Sequence, residues 1–272
     1  MKIKTEKERQ QVQDYNDLFT KPNDKEVEDL LNSLDGASIA EDMMVPLYHK
    51  KEGNYLFIGN GVLVDKYLIT AAHVAQTIDK KTNYSVLYYR IDLCSQIKED
   101  CSFDIIPHFI EVNDTMVLFD GRIMPDVKDV HNDLIVYKLD VSNDYFKYNL
   151  DPIKEGTVLN TMPYSIAGKK DDADVIERIA MNCNVLSTVA DVKRDNHIMH
   201  WENCFLVDCS SQLTSGNSGC AVYKNKVLYG IYLGPMGNQF VVLKASYIAQ
   251  CIEECENRDV GFSVRLARVE EN

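Results

Sequence analysis

Two short stretches of this chain hold residue types that do chemistry only together. Thr214-Ser215-Gly216-Asn217-Ser218-Gly219 presents Ser218 in a loop of small residues, and Leu68-Ile69-Thr70-Ala71-Ala72-His73 ends an apolar run on a histidine. A serine hydroxyl is a weak nucleophile at its own pKa, so attack on an acyl carbon needs a neighbouring base to take its proton. That base needs a carboxylate to fix its tautomer and orientation. Asp133, in His131-Asn132-Asp133-Leu134-Ile135-Val136, meets the need, and Asp104, in Ser102-Phe103-Asp104-Ile105-Ile106, has a similar context. Each stretch alone has an ordinary reading: a plain turn, a strand cap, a satisfied core histidine. Their joint presence in the order His, Asp, Ser points to nucleophilic acyl transfer.

The elements that must position these residues are mostly short strands. Val12, Tyr15 and Phe19, then Val27, Leu30, Leu31 and Leu34, recur at helical spacing and predict a helical hairpin over residues 1–36, interrupted at Lys21-Pro22-Asn23 and stopped by Asp35-Gly36. From about residue 43 the pattern changes. Strands are expected at 44–48, 55–64, 67–71, 86–91, 109–112, 115–119 and 134–139, with a tight turn at Asp65-Lys66. Residues 143–175 read as loop-rich, with a solvated tip around Lys169–Asp174. Further strands are expected at 176–190, 204–209, 220–223, 227–233 and 239–244. Ser246 is expected to cap a helix carrying Ile248, Cys251, Ile252 and Cys255 on one face, and residues 260–267 alternate like a final strand. Many short strands with frequent turns indicate an all-β fold of barrels or a sandwich.

Bulk properties narrow the function. The 272 residues suffice for a large core, and 45% apolar with 26% charged content is ordinary for a globular protein. A net charge of −13 argues against a nucleic-acid partner. No apolar run is long enough to span a bilayer, and Met1-Lys2-Ile3-Lys4 opens no signal-peptide core, so the expected location is cytoplasmic. The eight cysteines then read as reduced thiols serving as small apolar residues. His197, His200 and Cys204 match no closed zinc pattern, and no metal or cofactor is expected.

On these motifs the chain resembles the chymotrypsin-like, or trypsin-fold, serine peptidases over roughly residues 43–256, with residues 1–42 as an added N-terminal helical segment. The resemblance implies two six-stranded antiparallel β-barrels, roughly 43–142 and 176–256, within a peptidase domain spanning 43–272. His73 and Asp133 would come from the first barrel and Ser218 from the second. The N–H groups of Gly216 and Ser218 would form an oxyanion hole, each donor contributing ~3–4 kcal/mol to transition-state stabilisation in well-studied cases. Asn217 stands where digestive members carry an aspartate, as in the HtrA-type branch, and no Ile-Val-Gly-Gly start lies near residue 43. Activation by that ion pair is therefore not expected. Cys220 replaces the usual second glycine after the serine, and the long span from His73 to Asp133 implies an inserted loop at 92–108.

By alignment to Ser218, the substrate pocket would have its floor at Gln212 and Leu213 and a wall from Tyr232 through Leu233 to Gly234. A neutral floor cannot pair a buried cation, which is costly to leave alone. An uncharged residue before the cleaved bond is expected, unless Asp208 swings inward. The leading function is thus an intracellular serine endopeptidase acting on protein or peptide substrates. One alternative is a viral-type polyprotein-processing protease, because Gly230-Ile231-Tyr232-Leu233-Gly234 is similar to the pocket strand of picornaviral main proteases, with Tyr232 where those carry histidine. Another is a catalytically silent peptide-binding pseudo-protease. The apolar stripe of the N-terminal hairpin would serve either docking on a barrel or a regulatory partner.

Overall fold

The computed structural model describes residues 44–51, 53–75, 87–94, 105–121, 133–140, 146–170, 173–194, 197–201, 203–211, 213–214 and 216–257. The expected N-terminal hairpin, the strand at 260–267, Asp104 and Gln212 lie outside them, as do the side chains of His197 and His200.

The first half folds as β1 (Met44–Lys51), β2 (Asn54–Val64), β3 (Tyr67–Thr70), the one-turn helix α1 (Ala72–Ala75), β4 (Leu87–Cys94), β5 (Ile105–Val112), β6 (Val117–Asp120) and β7 (Ile135–Lys138). These strands make one antiparallel sheet in the order β5-β4-β1-β2-β3-β7-β6. The chain reverses between β2 and β3 at Asp65, whose φ of 52° is a left-handed conformation that aspartate tolerates in turns. The following segment runs β8 (Lys147–Tyr148), β9 (Val158–Thr161), β10 (Tyr164–Lys170), β11 (Ala173–Arg178), β12 (Met181–Ser187), β13 (Ala190–Arg194), β14 (His197–Trp201), β15 (Cys204–Cys209), β16 (Ala221–Lys224), β17 (Val227–Met236), β18 (Gln239–Lys244) and helix α2 (Ala245–Asn257). The second sheet has the order β16-β9-β12-β15-β18-β17-β8, and β16 also pairs with β17. That pairing closes six of its strands into a barrel, with β8 added in parallel outside the ring. Asn225 and Lys226, both at positive φ, form the tight turn that makes the closing hairpin possible.

The expected pair of six-stranded barrels needs one correction. The first sheet has seven strands and, among the described residues, no pairing that closes it. Three smaller expectations also change. Leu93 pairs with Ile106 and Cys94 with Ile105, so part of the expected insertion at 92–108 prolongs the β4–β5 hairpin. The segment read as loop-rich contains β9, β10 and the start of β11. Ser246 lies inside α2, which begins at Ala245.

Apolar patterning explains the core. β12 alternates buried and exposed residues from Met181 to Leu186, as a strand with one solvated face must, whereas Cys204–Val207 of β15 are buried throughout. Helix α2 buries Ala245, Ile248, Cys251 and Ile252, and each large aliphatic side chain removed from water contributes about 1.5–3 kcal/mol. Among the described residues no helix is long and apolar enough to cross a membrane.

The far end of α2 is tied to the first sheet. The Glu256 carboxylate accepts the Tyr67 hydroxyl at 2.9 Å and lies 2.9 Å from Lys138 Nζ and 3.6 Å from Lys66 Nζ. The Lys138 bond, followed by the Tyr67 bond, holds its carboxyl pKa below the ordinary glutamate value. A depressed carboxyl pKa stabilises the fold above the unfolded-state pKa, and the contribution disappears as pH falls through the folded-state value. Glu256→Gln should therefore cost roughly 1 kcal/mol at neutral pH, the scale of a part-exposed ion-pair network. Urea titrations should show this gap narrowing through the acid range, and a gap that persists in acid would assign the loss to packing instead.

Candidate functional site

The register of the first sheet brings the histidine and the aspartate together. Thr70 at the end of β3 pairs with Ile135 at the start of β7. Running forward from Thr70 and backward from Ile135 therefore converges on His73 and Asp133. Ala71 and Ala72 are buried and small, which lets the chain turn at once, with the Val74 N–H donating to Ala71 O at 3.0 Å. The His73 backbone N–H donates to Asp133 Oδ1 at 2.8 Å, and His73 Nδ1 lies 2.6 Å from Asp133 Oδ2. One carboxylate thus grips both the backbone and the ring of His73. Behind it, Leu134, Ile135 and Val136 are completely buried, which anchors the strand that holds Asp133.

Ser218 reaches the same place from the second barrel because three glycines leave room. A Cβ on Gly59 would lie 2.7 Å from Val74 Cγ1 and 3.1 Å from Ser218 O, so β2 passes between the histidine turn and the serine loop with no space for a side chain. Gly219 has φ +84°, and a Cβ there would fall 2.0 Å from Asn60 O. Gly216 sits against the Phe57 ring. The Asn60 N–H donates to Ser218 O at 2.9 Å, closing the contact.

Two buried asparagines hold the loop in shape. Asn217 Oδ1 accepts the Thr214 N–H at 2.7 Å, and its Nδ2 donates to Tyr164 O and to Ser165 Oγ on β10. Asn60 is fully buried, and its amide bridges both halves of the molecule. Its Oδ1 accepts the Tyr164 N–H at 2.7 Å, and its Nδ2 donates to Tyr164 O at 3.1 Å and Gly216 O at 3.0 Å. The Gly216 carbonyl is thereby drawn inward. The N–H groups of Gly216 and Ser218 donate to no other described residue.

The Ser218 hydroxyl donates to Leu233 O at 3.2 Å, and among the described residues it makes no hydrogen bond to His73. Leu233 is the extra residue of a bulge between Tyr232, paired with Val242, and Gly234, paired with Val241, which turns its carbonyl out of the ladder. Of the expected pocket residues, Leu213 is buried, Tyr232 is fully buried, Leu233 is buried, and Gly234 has open space where a Cβ would be. Burial holds the Tyr232 hydroxyl well above the ordinary tyrosine pKa, and the hydroxyl has no hydrogen-bond partner among the described residues. Asp208 stays in the β15 ladder opposite Asn184 and is exposed, so it does not swing inward as the sequence left open.

Sequence reasoning missed Asn60, Tyr164 and Ser165. Asn60 carried a signal, being a polar residue between two glycines in an otherwise apolar strand. It also misread Asp174. Its side chain is only 7% exposed and accepts the Phe57 N–H at 3.1 Å, docking the β10–β11 hairpin on β2 rather than forming a solvated tip.

No family model matches this sequence, and neither does any curated protein. Solved structures do match in shape. Neuropsin, a serine protease expressed in the limbic system of mouse brain, aligns with TM-score 0.54 at 15% identity, covering 80% of this chain and 96% of that one. A scabies mite inactivated protease paralogue aligns with TM-score 0.50 at 17% identity, over 80% of this chain and 96% of the other. The chain therefore has the trypsin-like serine protease fold.

Asn60→Ala should cost about 3 kcal/mol in chemical denaturation, because it strands the Tyr164 N–H and two carbonyls in a buried site. A loss below about 1 kcal/mol would mean that water replaces the amide.

Proposed function

We propose that the chain is a serine endopeptidase of the chymotrypsin-like type. Ser218 is its nucleophile, His73 its general base and Asp133 the residue that orients the base. The observation that carries this reading is the double grip of Asp133 on His73, next to Ser218 across Gly59. With Nδ1–H donated to Asp133, the ring offers Nε2 as the acceptor of a proton. Rotation of the Ser218 hydroxyl away from Leu233 O would aim it at that nitrogen, and such bonds commonly tighten only when substrate is bound. As the serine oxygen adds to the scissile carbonyl, the negative charge grows on the carbonyl oxygen. The Gly216 and Ser218 N–H groups are the proposed donors to it. The imidazolium then returns its proton to the leaving amine, and water releases the acyl group by the same steps in reverse order.

The proposed pocket runs from Gln212 and Leu213 to Tyr232, Leu233 and Gly234. None of these five residues carries a carboxylate, which supports cleavage after uncharged residues, apolar or amide-bearing. The HtrA-type character of the Gly-Asn-Ser-Gly motif has support in the role of Asn217, whose amide holds the loop without any ion pair. A cytoplasmic setting belongs to the same proposal.

A second reading, a binding protein without peptidase activity, is favoured by one observation, the Ser218–Leu233 bond that leaves His73 without its serine. The scabies mite paralogue, described as inactivated, shares the fold, so shape does not separate the two readings. Turnover does. Ser218→Ala and His73→Ala should each lower peptide hydrolysis by several orders of magnitude, and Asp133→Asn by about 10⁴. In a positional peptide library the parent should disfavour Lys and Arg before the scissile bond. Ser218→Ala activity within tenfold of the parent would remove the assignment, and a dominant Arg or Lys preference would remove the pocket reading alone.

A further inference from the structure

The second barrel holds a pair of thiols that the proposed peptide chemistry does not use. Cys183 on β12 and Cys209 on β15 face each other directly in the antiparallel register. Their Sγ atoms are 2.8 Å apart. The Ser210 N–H donates to Asn182 O, which makes Asn182 and Ser210 a hydrogen-bonded pair and leaves Cys183 and Cys209 at the adjacent non-hydrogen-bonded position. At such positions opposed Cα atoms lie about 4.5 Å apart, inside the span a disulfide bridges. Joining the sulfurs at about 2.05 Å needs a shift below about 1 Å, with no strand displacement.

We propose that Cys183 and Cys209 are a redox modification site, a dithiol that peroxide oxidises to a disulfide tying β12 to β15 just ahead of the nucleophile loop.

The two sulfurs are unequal in a way that assigns their roles. Cys183 is fully buried, while Cys209 is part-exposed at the end of β15. A surface hollow of 280 Å³, lined by Asn182, Ser210, Thr161 and Tyr223 among others, opens at the residues next to both cysteines. Its hydrogen bond to Cys209, and then burial, hold the Cys183 thiol protonated well above the ordinary range, so the first attack falls to Cys209. The Cys209 thiolate attacks one peroxide oxygen, the O–O bond breaks, and hydroxide leaves as a sulfenic acid forms. The Cys183 sulfur then attacks the Cys209 sulfur and displaces its hydroxyl. The two thiol protons end on the two oxygens, so two thiols and one peroxide give one disulfide and two waters. A thiol reductant reverses the bond by exchange.

The third cysteine of this region has a different fate. Cys220 is fully buried, its Sγ lies 3.4 Å from the Thr161 hydroxyl, and burial pushes its thiol up to about 12. It is expected to stay reduced. The disulfide encloses the β13–β14 hairpin and its flanks, so its main effect is to remove freedom from the unfolded chain and raise the stability of the second barrel.

The full chain is treated with hydrogen peroxide, quenched with iodoacetamide, digested and mapped by mass spectrometry. The proposal expects a loss of two hydrogens, one cross-linked peptide pair joining Cys183 to Cys209, reversal by dithiothreitol, and a melting temperature raised by roughly 5–10 °C. Cys209→Ser and Cys183→Ala should each abolish both the cross-link and the shift. A cross-link through Cys220, oxidation stopping at sulfinic acid on Cys209, or a correct cross-link with no change in melting temperature would overturn it. Should either variant fail to fold, the map and melt of the parent decide alone. None of these readouts depends on peptidase activity.

Discussion

The amide of Asn60 is the contact on which the site depends. The site is assembled from two separate sheets, and neither sheet alone places a serine beside a histidine. Asn60 belongs to β2 of the first sheet, yet its side chain binds Tyr164 on both backbone groups and Gly216 on its carbonyl. Its own N–H takes the Ser218 carbonyl, and its carbonyl takes the Thr70 hydroxyl at 2.7 Å. Thr70 is the last residue of the strand that leads to His73. One buried residue therefore joins the histidine strand, the serine loop and the first strand of the β10–β11 hairpin. A buried amide is costly unless every donor and acceptor is matched, and here all are matched by groups that must be in place for the site to exist. A side chain at 219 would strike the Asn60 carbonyl, and one at 59 would press on the Val74 side chain.

Charge and shape then act at shorter range. Asp133 spends one oxygen on the His73 backbone and the other on the ring, so the backbone bond fixes the carboxylate and the ring cannot turn without breaking its bond to Oδ2. The bulge at Leu233 supplies a carbonyl that the Ser218 hydroxyl occupies. The geometry thus separates a fixed half, His73 held by Asp133, from Ser218, whose hydroxyl is turned to Leu233 O.

Much of this arrangement was legible in the sequence. The meeting of His73 and Asp133 was readable because the apolar runs beside them predicted strands that fix their direction. The strand pattern was readable where burial ran nearly continuously, as in β2 and β15, whereas the stretch expected as strand over 176–190 is divided among β11, β12 and β13 and β14 was not expected. What could not be read depended on strand order. Asn60 meets Tyr164 from 104 positions away, and no local pattern announces such a partner. Asp174 looked solvated because its neighbours are charged, whereas its own carboxylate caps the Phe57 N–H on another sheet. Cys183 and Cys209 read as small apolar residues because only the β12–β15 register shows them facing each other. The resemblance implied six strands in the first barrel, whereas the seven segments read from the pattern all join one sheet.

The central claim is that Ser218 is a nucleophile activated by His73. Active-site labelling with a fluorophosphonate probe, followed by intact mass and peptide mapping, tests it most directly, because the probe reacts with an activated serine and needs no knowledge of the substrate. The account predicts a single adduct on Ser218, formed rapidly by the parent and lost in a folded His73→Ala variant. A well-folded parent that takes up no label, or labelling of Ser218 that proceeds equally well without His73, would contradict it.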